Sequence, residues 1–263
     1  MANELAIRLG VFLGVLGLLM ALEHRAPRRA LVQPRSHRWT TNLALVVIDS
    51  LAVRAVAFAL PILAVAAAAD ASAQGFGLFN RLDWPVSAEL VLAVLAFDLA
   101  IWTQHLITHK VPLFWRFHRV HHADRDFDVT TALRFHPVEI VASAALKVGL
   151  VYLLGPSVLA VILFEITLNA TAMFNHANLR LPGWLDRAVR LVLVTPDMHR
   201  VHHSVLRDEH DSNYGFSLSL WDRIFRTYVP EPKGGHDAMT VGLEWQDDKP
   251  ARLGWALWLP FRR

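Results

Sequence analysis

The sequence predicts an all-α membrane protein, a polytopic helical bundle with a histidine-rich metal-binding cap on its cytoplasmic side. Three observations lead to this prediction. Hydrophobic residues make up 54% of the 263 positions and the mean hydropathy is +0.33, which indicates extensive contact with lipid. Long apolar segments alternate with short polar ones. Of the 14 histidines, ten lie between residues 105 and 203, most of them in tight groups.

The apolar segments define the predicted membrane helices. They run from Leu5 to Leu22, from Leu43 to Ala69, from Val86 to His105 and from Val138 to Phe174. Gly155 and Pro156 divide the last segment, which therefore predicts a hairpin of two membrane-embedded arms. The first segment precedes a basic stretch without a small-residue cleavage site, so we expect a retained helix and not a signal peptide. Asp49 and Arg54, inside the second segment, are expected to face protein.

The arginines predict the orientation of the bundle. Five of them lie between Arg25 and Arg38, whereas the stretch from Asp70 to Pro85 holds only Arg81. By the positive-inside rule, the first of these loops is cytoplasmic and the second is not. A hairpin leaves and re-enters the membrane on one side, so all the histidine groups are predicted to share the cytoplasmic side.

Three regions follow from this pattern. Residues 1–86 are predicted to hold the N-terminal transmembrane helices and their loops. Residues 87–230 form a catalytic region that contains the histidine groups, and residues 231–263 form a C-terminal cytoplasmic tail. The more polar chain from Asn213 onward is predicted to pack as a cap on the membrane domain.

Composition excludes several classes of function. The net charge of +3 comes with no basic face or base-reading element, so we expect no nucleic-acid partner. The chain has no cysteine, which excludes thiolate and iron–sulfur sites. It also carries no convincing nicotinamide, flavin or haem motif. A bound metal must therefore use nitrogen or oxygen ligands.

Three histidine groups predict a metal site. One is a His-x-x-x-His pair and two are His-x-x-His-His groups: His105 and His109; His118, His121 and His122; His199, His202 and His203. On a helix, residues three or four apart share a face, so these imidazoles can converge, and each adjacent pair can serve two different ions. Eight imidazoles exceed the needs of one ion, so two ions are predicted. Crowded imidazoles without metal would leave buried ring nitrogens unsatisfied.

The remaining histidines lie outside the three motifs. His176 is a candidate ninth ligand, and Asn178, close to it, is a candidate to orient a ligand. Isolated histidines more often lie on the surface or in loops, and four are assigned there: His24, His37, His210 and His236.

Two residues near the groups have alternative roles. Asp98 lies seven residues before His105, two helical turns along the same face, and can orient a ligand histidine through its second ring nitrogen. It can instead pair with Arg54. His136 is a ligand, a donor to a ligand, or part of a helix start at Pro137.

At these residues the chain resembles the fatty acid hydroxylase superfamily, which includes sterol desaturases and sterol methyl oxidases. The resemblance covers residues 98–228, roughly half the chain. Besides the three histidine groups, it rests on these segments: Leu113-Phe114-Trp115-Arg116-Phe117, Arg134-Phe135-His136-Pro137, His176-Ala177-Asn178, Thr195-Pro196-Asp197-Met198, Asn213-Tyr214-Gly215 and Trp221-Asp222-Arg223-Ile224-Phe225. Two positions depart from the family pattern: Leu106 stands where arginine is common, and Arg226 replaces the usual glycine.

The resemblance implies a membrane di-iron oxygenase with its histidines in a cytoplasmic cap over a lipid tunnel. The implied metal ligands are His105, His109, His118, His121, His122, His176, His199, His202 and His203. The expected cofactors are two iron ions, which zinc can replace in isolated protein, with O2 as co-substrate. Imidazole ligation alone suits iron, zinc or copper, so ligand type does not choose the metal.

The predicted reaction is hydroxylation or desaturation of a C–H bond in a fatty acyl, sterol-like or related lipid. Electrons are expected from a separate donor, such as a ferredoxin, a cytochrome or a reductase. Arg116, Arg119 and Arg200 either dock an acidic donor or anionic headgroup, or follow the positive-inside rule and pair with nearby aspartates. Two alternatives to the oxygenase are a membrane zinc hydrolase and a non-catalytic metal-binding or transport protein. The first lacks a His-Glu-x-x-His motif, and the second would place its ligands at mid-membrane.

Overall fold

The computed structural model describes residues 2–59 and 63–262. The described chain is helical, and its extended residues form only isolated bridges. The α-helices in chain order are α1 (Ala2–Arg25), α2 (Arg35–Ala59), α3 (Ala64–Gln74), α4 (Val86–Lys110), α5 (Pro112–His122), α6 (Pro137–Leu154), α7 (Val158–Asn175), α8 (Gly183–Val189), α9 (Pro196–His202), α10 (Arg207–His210), α11 (Leu220–Ile224), α12 (Gly235–Ala238) and α13 (Leu253–Trp258). Five of them, α1, α2, α4, α6 and α7, are long and apolar enough to cross a membrane. The prediction of an all-α, polytopic membrane bundle is confirmed.

The predicted hairpin is formed by α6 and α7. The chain turns at Gly155, whose φ of +65° is readily adopted only by glycine. A Cβ atom at Gly155 would also lie 2.4 Å from the Phe76 carbonyl oxygen, because the loop after α3 rests directly on this turn. Glycine is therefore required here both for the turn and for the close contact between the two loops.

The second predicted segment, residues 43–69, is wrong in its bounds. The helix α2 begins at Arg35 and ends at Ala59, and the alanine-rich residues that follow form the separate helix α3. Residues 60–62, which the predicted segment also includes, lie outside the described part of the chain. Asp49 is buried, as expected, but Arg54 is exposed on α2 and does not face protein.

The membrane core forms where α3, α4, α6 and α7 meet. The rings of Phe97 on α4 and Phe164 on α7 stack with centroids 4.9 Å apart. The buried small side chains of α3, including Ala67, Ala68 and Ala71, let the neighbouring helices approach closely. This core fixes α4, whose last turns carry the first histidine pair beyond the apolar part of the helix.

The polar half of the chain covers one end of the bundle. Helix α13 packs against α2 and α5 through a cluster that includes Leu45, Val120, Trp255 and Leu259. The C-terminal chain is therefore a packed part of the cap. The predicted region boundaries near residues 86 and 230 stay predictions.

Candidate metal centre

Local sequence positions the histidine groups at helix ends. Lys110 is the last residue of α4, and the next helix, α5, begins at Pro112. Proline is favoured at a first helical position because its missing N–H has no partner there in any case. The third group lies on α9, which is capped by the Thr195 hydroxyl accepting from the Met198 amide at 3.3 Å.

The histidines meet in two adjoining groups, all of them buried. The first, called group A, contains His105, His109, His118, His122 and His202. The second, called group B, contains His121, His176, His199 and His203. Within each group, one ring nitrogen from every member lies within 4.8 Å of the others. Together they are the nine histidines that the sequence pattern and the family resemblance singled out.

Each His-x-x-His-His motif divides its adjacent pair between the two groups. His121 belongs to group B and His122 to group A, while His202 belongs to group A and His203 to group B. Neighbouring residues on a helix point about 100° apart, so one short helix can serve two sites at once. The rings of His122 and His203 stack across the boundary with centroids 4.5 Å apart.

Hydrogen bonds to Nδ1 orient five of the imidazoles. The carboxylate of Glu139 accepts from His118 at 2.7 Å. Backbone carbonyl oxygens accept from the other four at 2.6–3.1 Å; the histidine–carbonyl pairs are His105 with Tyr214, His121 with Arg134, His176 with Ala172 and His202 with Ser212. A carbonyl can only accept, so these rings carry their proton on Nδ1 and present the Nε2 lone pair to the site.

Asp222 stabilises the loop at Tyr214 and Gly215, whose Tyr214 carbonyl accepts the hydrogen bond from His105. Its carboxylate accepts from the backbone amides of Tyr214 and Gly215 at 2.8 and 2.9 Å. It also accepts from the Trp102 indole at 3.0 Å and the Thr227 hydroxyl at 2.7 Å. The Tyr214 carbonyl that orients His105 is therefore fixed by a buried carboxylate.

Two buried arginines, Arg38 and Arg134, stabilise the chain in and just after the His118–His122 motif. The buried Arg38 guanidinium donates to Asp124 at 2.7 and 2.8 Å and to Asp128 at 2.6 Å. Burial alone would raise the pKa of Asp124, but the Arg38 charge offsets that effect and lowers the pKa to about 2. Arg134 donates to the carbonyls of Val120 and Pro250 at 2.8 and 2.7 Å. These contacts join α2, α5 and the C-terminal chain beneath the site.

The site suits metal cations. Both ring nitrogens of four of the grouped histidines have no hydrogen-bond partner within the described chain: His109, His122, His199 and His203. The Nε2 atoms of His105 and His118 lie 3.1 Å apart, as do those of His121 and His176. Two lone pairs at that distance repel unless a cation lies between them. Nitrogen ligands about 2.1 Å from one ion, at right angles, lie about 3.0 Å apart.

Burial keeps the cap imidazoles neutral. It is the main cause of the lowered pKa of His176, about 3, and neighbouring imidazoles lower it further. The pKa values of five others lie well below 6.5 for the same two reasons: His121, His122, His199, His202 and His203. Neutral imidazole is the form that binds metal. The donor set is all nitrogen, which fits iron, zinc or copper.

The three candidate orienting residues lie elsewhere in the hydrogen-bond network. Asp98 accepts from the Trp221 indole at 2.8 Å, and within the described chain it forms no hydrogen bond or ion pair with a grouped histidine or Arg54. It stabilises the loop before α11. Sequence spacing placed it on the same face as His105, but Glu139, the third residue of α6, is the carboxylate that orients a grouped histidine.

His136 and Asn178 also serve the backbone. His136 caps α6, its Nδ1 accepting from the Val138 amide at 3.2 Å, so the helix-start alternative is the one observed. Asn178 bonds both backbone groups of Arg29 at 3.1 and 2.8 Å. Among the isolated histidines, His24 and His37 are exposed as expected, whereas His210 and His236 are buried. His210 stacks on Trp115, with ring centroids 5.5 Å apart, beside group A.

The fold and the site together define a multi-pass membrane protein with a candidate two-metal histidine centre. The family model for fatty acid hydroxylases matches residues 90–227, which include every one of the nine histidines. The chain belongs to the fatty acid hydroxylase family. The resemblance inferred from the motifs is confirmed.

Curated relatives are lipid oxygenases by name. The chain is 26% identical to an ornithine lipid hydroxylase from Rhizobium tropici, over 85% of its own length and 67% of that protein. It is 31% identical to human alkylglycerol monooxygenase over 60% of its length, but spans only 34% of that relative. Human cholesterol 25-hydroxylase is 26% identical, over 52% of this chain and 50% of that protein. No solved structure matches the chain. The predicted oxidoreductase class is confirmed by these hydroxylases and monooxygenases.

Proposed function

We propose that the chain is a membrane lipid hydroxylase with two irons bound by groups A and B. The observation that carries this proposal is the convergence of nine buried imidazoles into two adjoining sets. The named relatives act on an ornithine lipid, an alkylglycerol and cholesterol, which supports hydroxylation of a lipid over desaturation.

When bound, the irons would supply the oxygen-activating redox chemistry that no amino-acid side chain provides. Overall, one oxygen atom of O2 enters the C–H bond and the other leaves as water, which requires two electrons and two protons. We propose that the electrons come from a separate protein donor, such as a ferredoxin, a cytochrome or a reductase. The arginine distribution supports a donor that approaches from the cytoplasmic side.

The chain's own part is to position ligands and to exclude water. Glu139 and the four carbonyl acceptors hold five rings in fixed tautomers, so each Nε2 faces the site without rearrangement. Burial of all nine histidines separates the site from bulk water. Exclusion of water protects a reactive centre from side reactions.

A zinc hydrolase would need a carboxylate free to activate water. Glu139 bonds the His118 ring through one oxygen, and its other oxygen has no partner within the described residues. The sequence has no His-Glu-x-x-His motif, and the named relatives are hydroxylases and monooxygenases, which together support the oxygenase over the hydrolase.

The test combines oxygen uptake with lipid analysis. Purified protein supplied with a reductase system should consume O2, and lipid extracts of cells expressing it should gain a species heavier by one oxygen. His203→Ala should abolish both, whereas the exposed-residue control His37→Ala should change neither. Activity that persists without oxygen would contradict the proposal, and so would a product that has lost two hydrogens and gained no oxygen.

A further inference from the structure

A cavity of about 270 Å³ opens beside group B, on the capped end of the bundle. We call it the arginine cavity. Its lining includes Arg29, Arg125, Arg200, Asp126, Phe127 and Asn178. The volume is slightly below the usual range for ligand pockets, about 300–1,000 Å³, and suits a small polar group.

The cavity holds more positive charge than its own carboxylate neutralises. Asp126 is the acidic residue in the lining, and its oxygens accept from the amides of Val32 and Gln33 at 2.8 Å each. Three arginines line the same cavity: Arg29, Arg125 and Arg200. A cluster of like charges is stabilised by an anion that binds among them.

Each of the three arginines also has a buried N–H group without an acceptor within the described chain. Arg200 is fully buried, pairs with Asp197 through one terminal nitrogen, and leaves its Nε without a partner. In Arg125 the Nε is likewise unpartnered, and its one ion pair, 4.0 Å long, is to the exposed Asp248. Arg29 forms no ion pair within the described chain, and its buried Nη1 lacks an acceptor. Buried charged donors without acceptors are costly, so their presence indicates a ligand that accepts from them.

The cavity is close to group B and to the end of a membrane helix. The Phe127 ring in its wall lies 5.4 Å from the His176 ring and 5.0 Å from the His203 ring, centroid to centroid. The Arg200 guanidinium lies over this same ring, 5.1 Å from its centroid. Arg29 follows the end of α1 at Arg25 by four residues, which is at most about 14 Å of extended chain.

We propose that the arginine cavity binds a carboxylate or phosphate group, and that this group belongs to the lipid on which the metal centre acts. The second part rests on the proposed function. An anionic headgroup held at the membrane edge, one aromatic ring from group B, would fix the position of the attached chain relative to the metals. Arginine is suited to this role because its planar fork matches both oxyanions.

The test measures binding without turnover. Full-length protein in neutral detergent is titrated with inorganic phosphate, with dihexanoyl phosphatidate and with dihexanoyl phosphatidylcholine. The double variant R29Q/R125Q should bind phosphate and phosphatidate at least about tenfold more weakly than the wild type. The control R207Q removes the same charge from a side chain that is 83% exposed, and should bind as the wild type does.

Comparing the three titrations distinguishes a lipid headgroup from free phosphate as the natural ligand. Phosphatidate that binds more tightly than phosphatidylcholine and competes with phosphate supports a lipid headgroup. Phosphate binding without such competition overturns the headgroup assignment and identifies a site for free anions. The cavity's anion-binding role is overturned if neither phosphate nor phosphatidate binds. It is also overturned if R29Q/R125Q and R207Q weaken anion binding equally.

Two further measurements keep the test independent. The single variant R29Q removes a side chain that makes no ion pair or hydrogen bond within the described chain, so it tests the cavity even if the double variant fails to fold. Metal content is measured on every sample. Protein that lacks metal but still binds phosphatidate would contradict the proposed function and leave the anion site intact.

Discussion

Glu139 accepts a hydrogen bond from the Nδ1 atom of His118 at 2.7 Å, and both side chains are buried. Glu139 stands in the first turn of α6, while His118 stands on α5. The hairpin that enters the membrane is thereby joined to the metal groups. Among the described residues, it is the carboxylate that hydrogen-bonds a grouped imidazole.

Removing this carboxylate should weaken the site without emptying it. We expect Glu139→Gln to lower oxygen-dependent activity by about 10- to 100-fold, because an uncharged acceptor makes the His118 ring a poorer ligand. Initial rates and metal content measure the effect. The exposed control Glu244→Gln should be unchanged. Equal activity of E139Q and wild type would show that orientation of His118 does not matter.

Asp222 should be needed for both stability and metal binding. The variant Asp222→Ala leaves the amides of Tyr214 and Gly215 unpaired, and should lower the free energy of unfolding by about 2–4 kcal/mol. Loss of the fixed Tyr214 carbonyl should also lower the metal-to-protein ratio. Thermal unfolding in detergent and metal analysis give the two readouts. Asp83→Ala, at an exposed carboxylate, is the control.

Arg38 is expected to be essential to the cap. Its removal leaves the buried carboxylates of Asp124 and Asp128 uncompensated, and should cost about 3–5 kcal/mol. Arg38→Lys should restore little of this, because an ammonium group cannot reproduce the forked contacts. Denaturant unfolding of R38M and R38K checks the prediction. A full rescue by lysine would mean that charge alone matters.

Arg226 should be a site of backbone strain. Its φ is +59°, in the left-handed region that costs a side-chain-bearing residue about 1–2 kcal/mol. The family pattern has glycine here, and the conformation gives the reason. We expect Arg226→Gly to raise the unfolding temperature by a few degrees. Arg226→Ala keeps the strain and should give no such rise, so the difference between the two variants isolates the backbone effect.

Much of the site was predictable because histidine spacing is a local property. The three motifs lie at helix ends, where residues three or four apart share a face, and their spacing indicated that each adjacent pair can serve two ions. The hairpin was predictable for a similar reason, since Gly155 and Pro156 interrupt one apolar run. What these predictions share is that each depends on neighbours in the sequence.

The supporting contacts were not predictable in this way. Glu139 lies 21 residues from His118 in the chain and Asp222 lies 120 residues from Trp102, so no spacing links them. Sequence spacing put Asp98 on the same face of α4 as His105, but its carboxylate accepts a hydrogen bond from the Trp221 indole and not from a histidine. The acidic residues in or beside the family segments, Asp222 within Trp221–Phe225 and Glu139 two residues after Pro137, were the signal that could have identified both.

The central claim is that two cations are bound separately, one by each histidine group. Metal analysis of protein purified from iron-supplied cells tests it directly, using His109→Ala for group A and His199→Ala for group B. The account predicts a ratio of about two metals per chain in the wild type, about one in either variant and none in the double variant. A wild-type ratio of one, or single variants that each lose all metal, would contradict two separate sites.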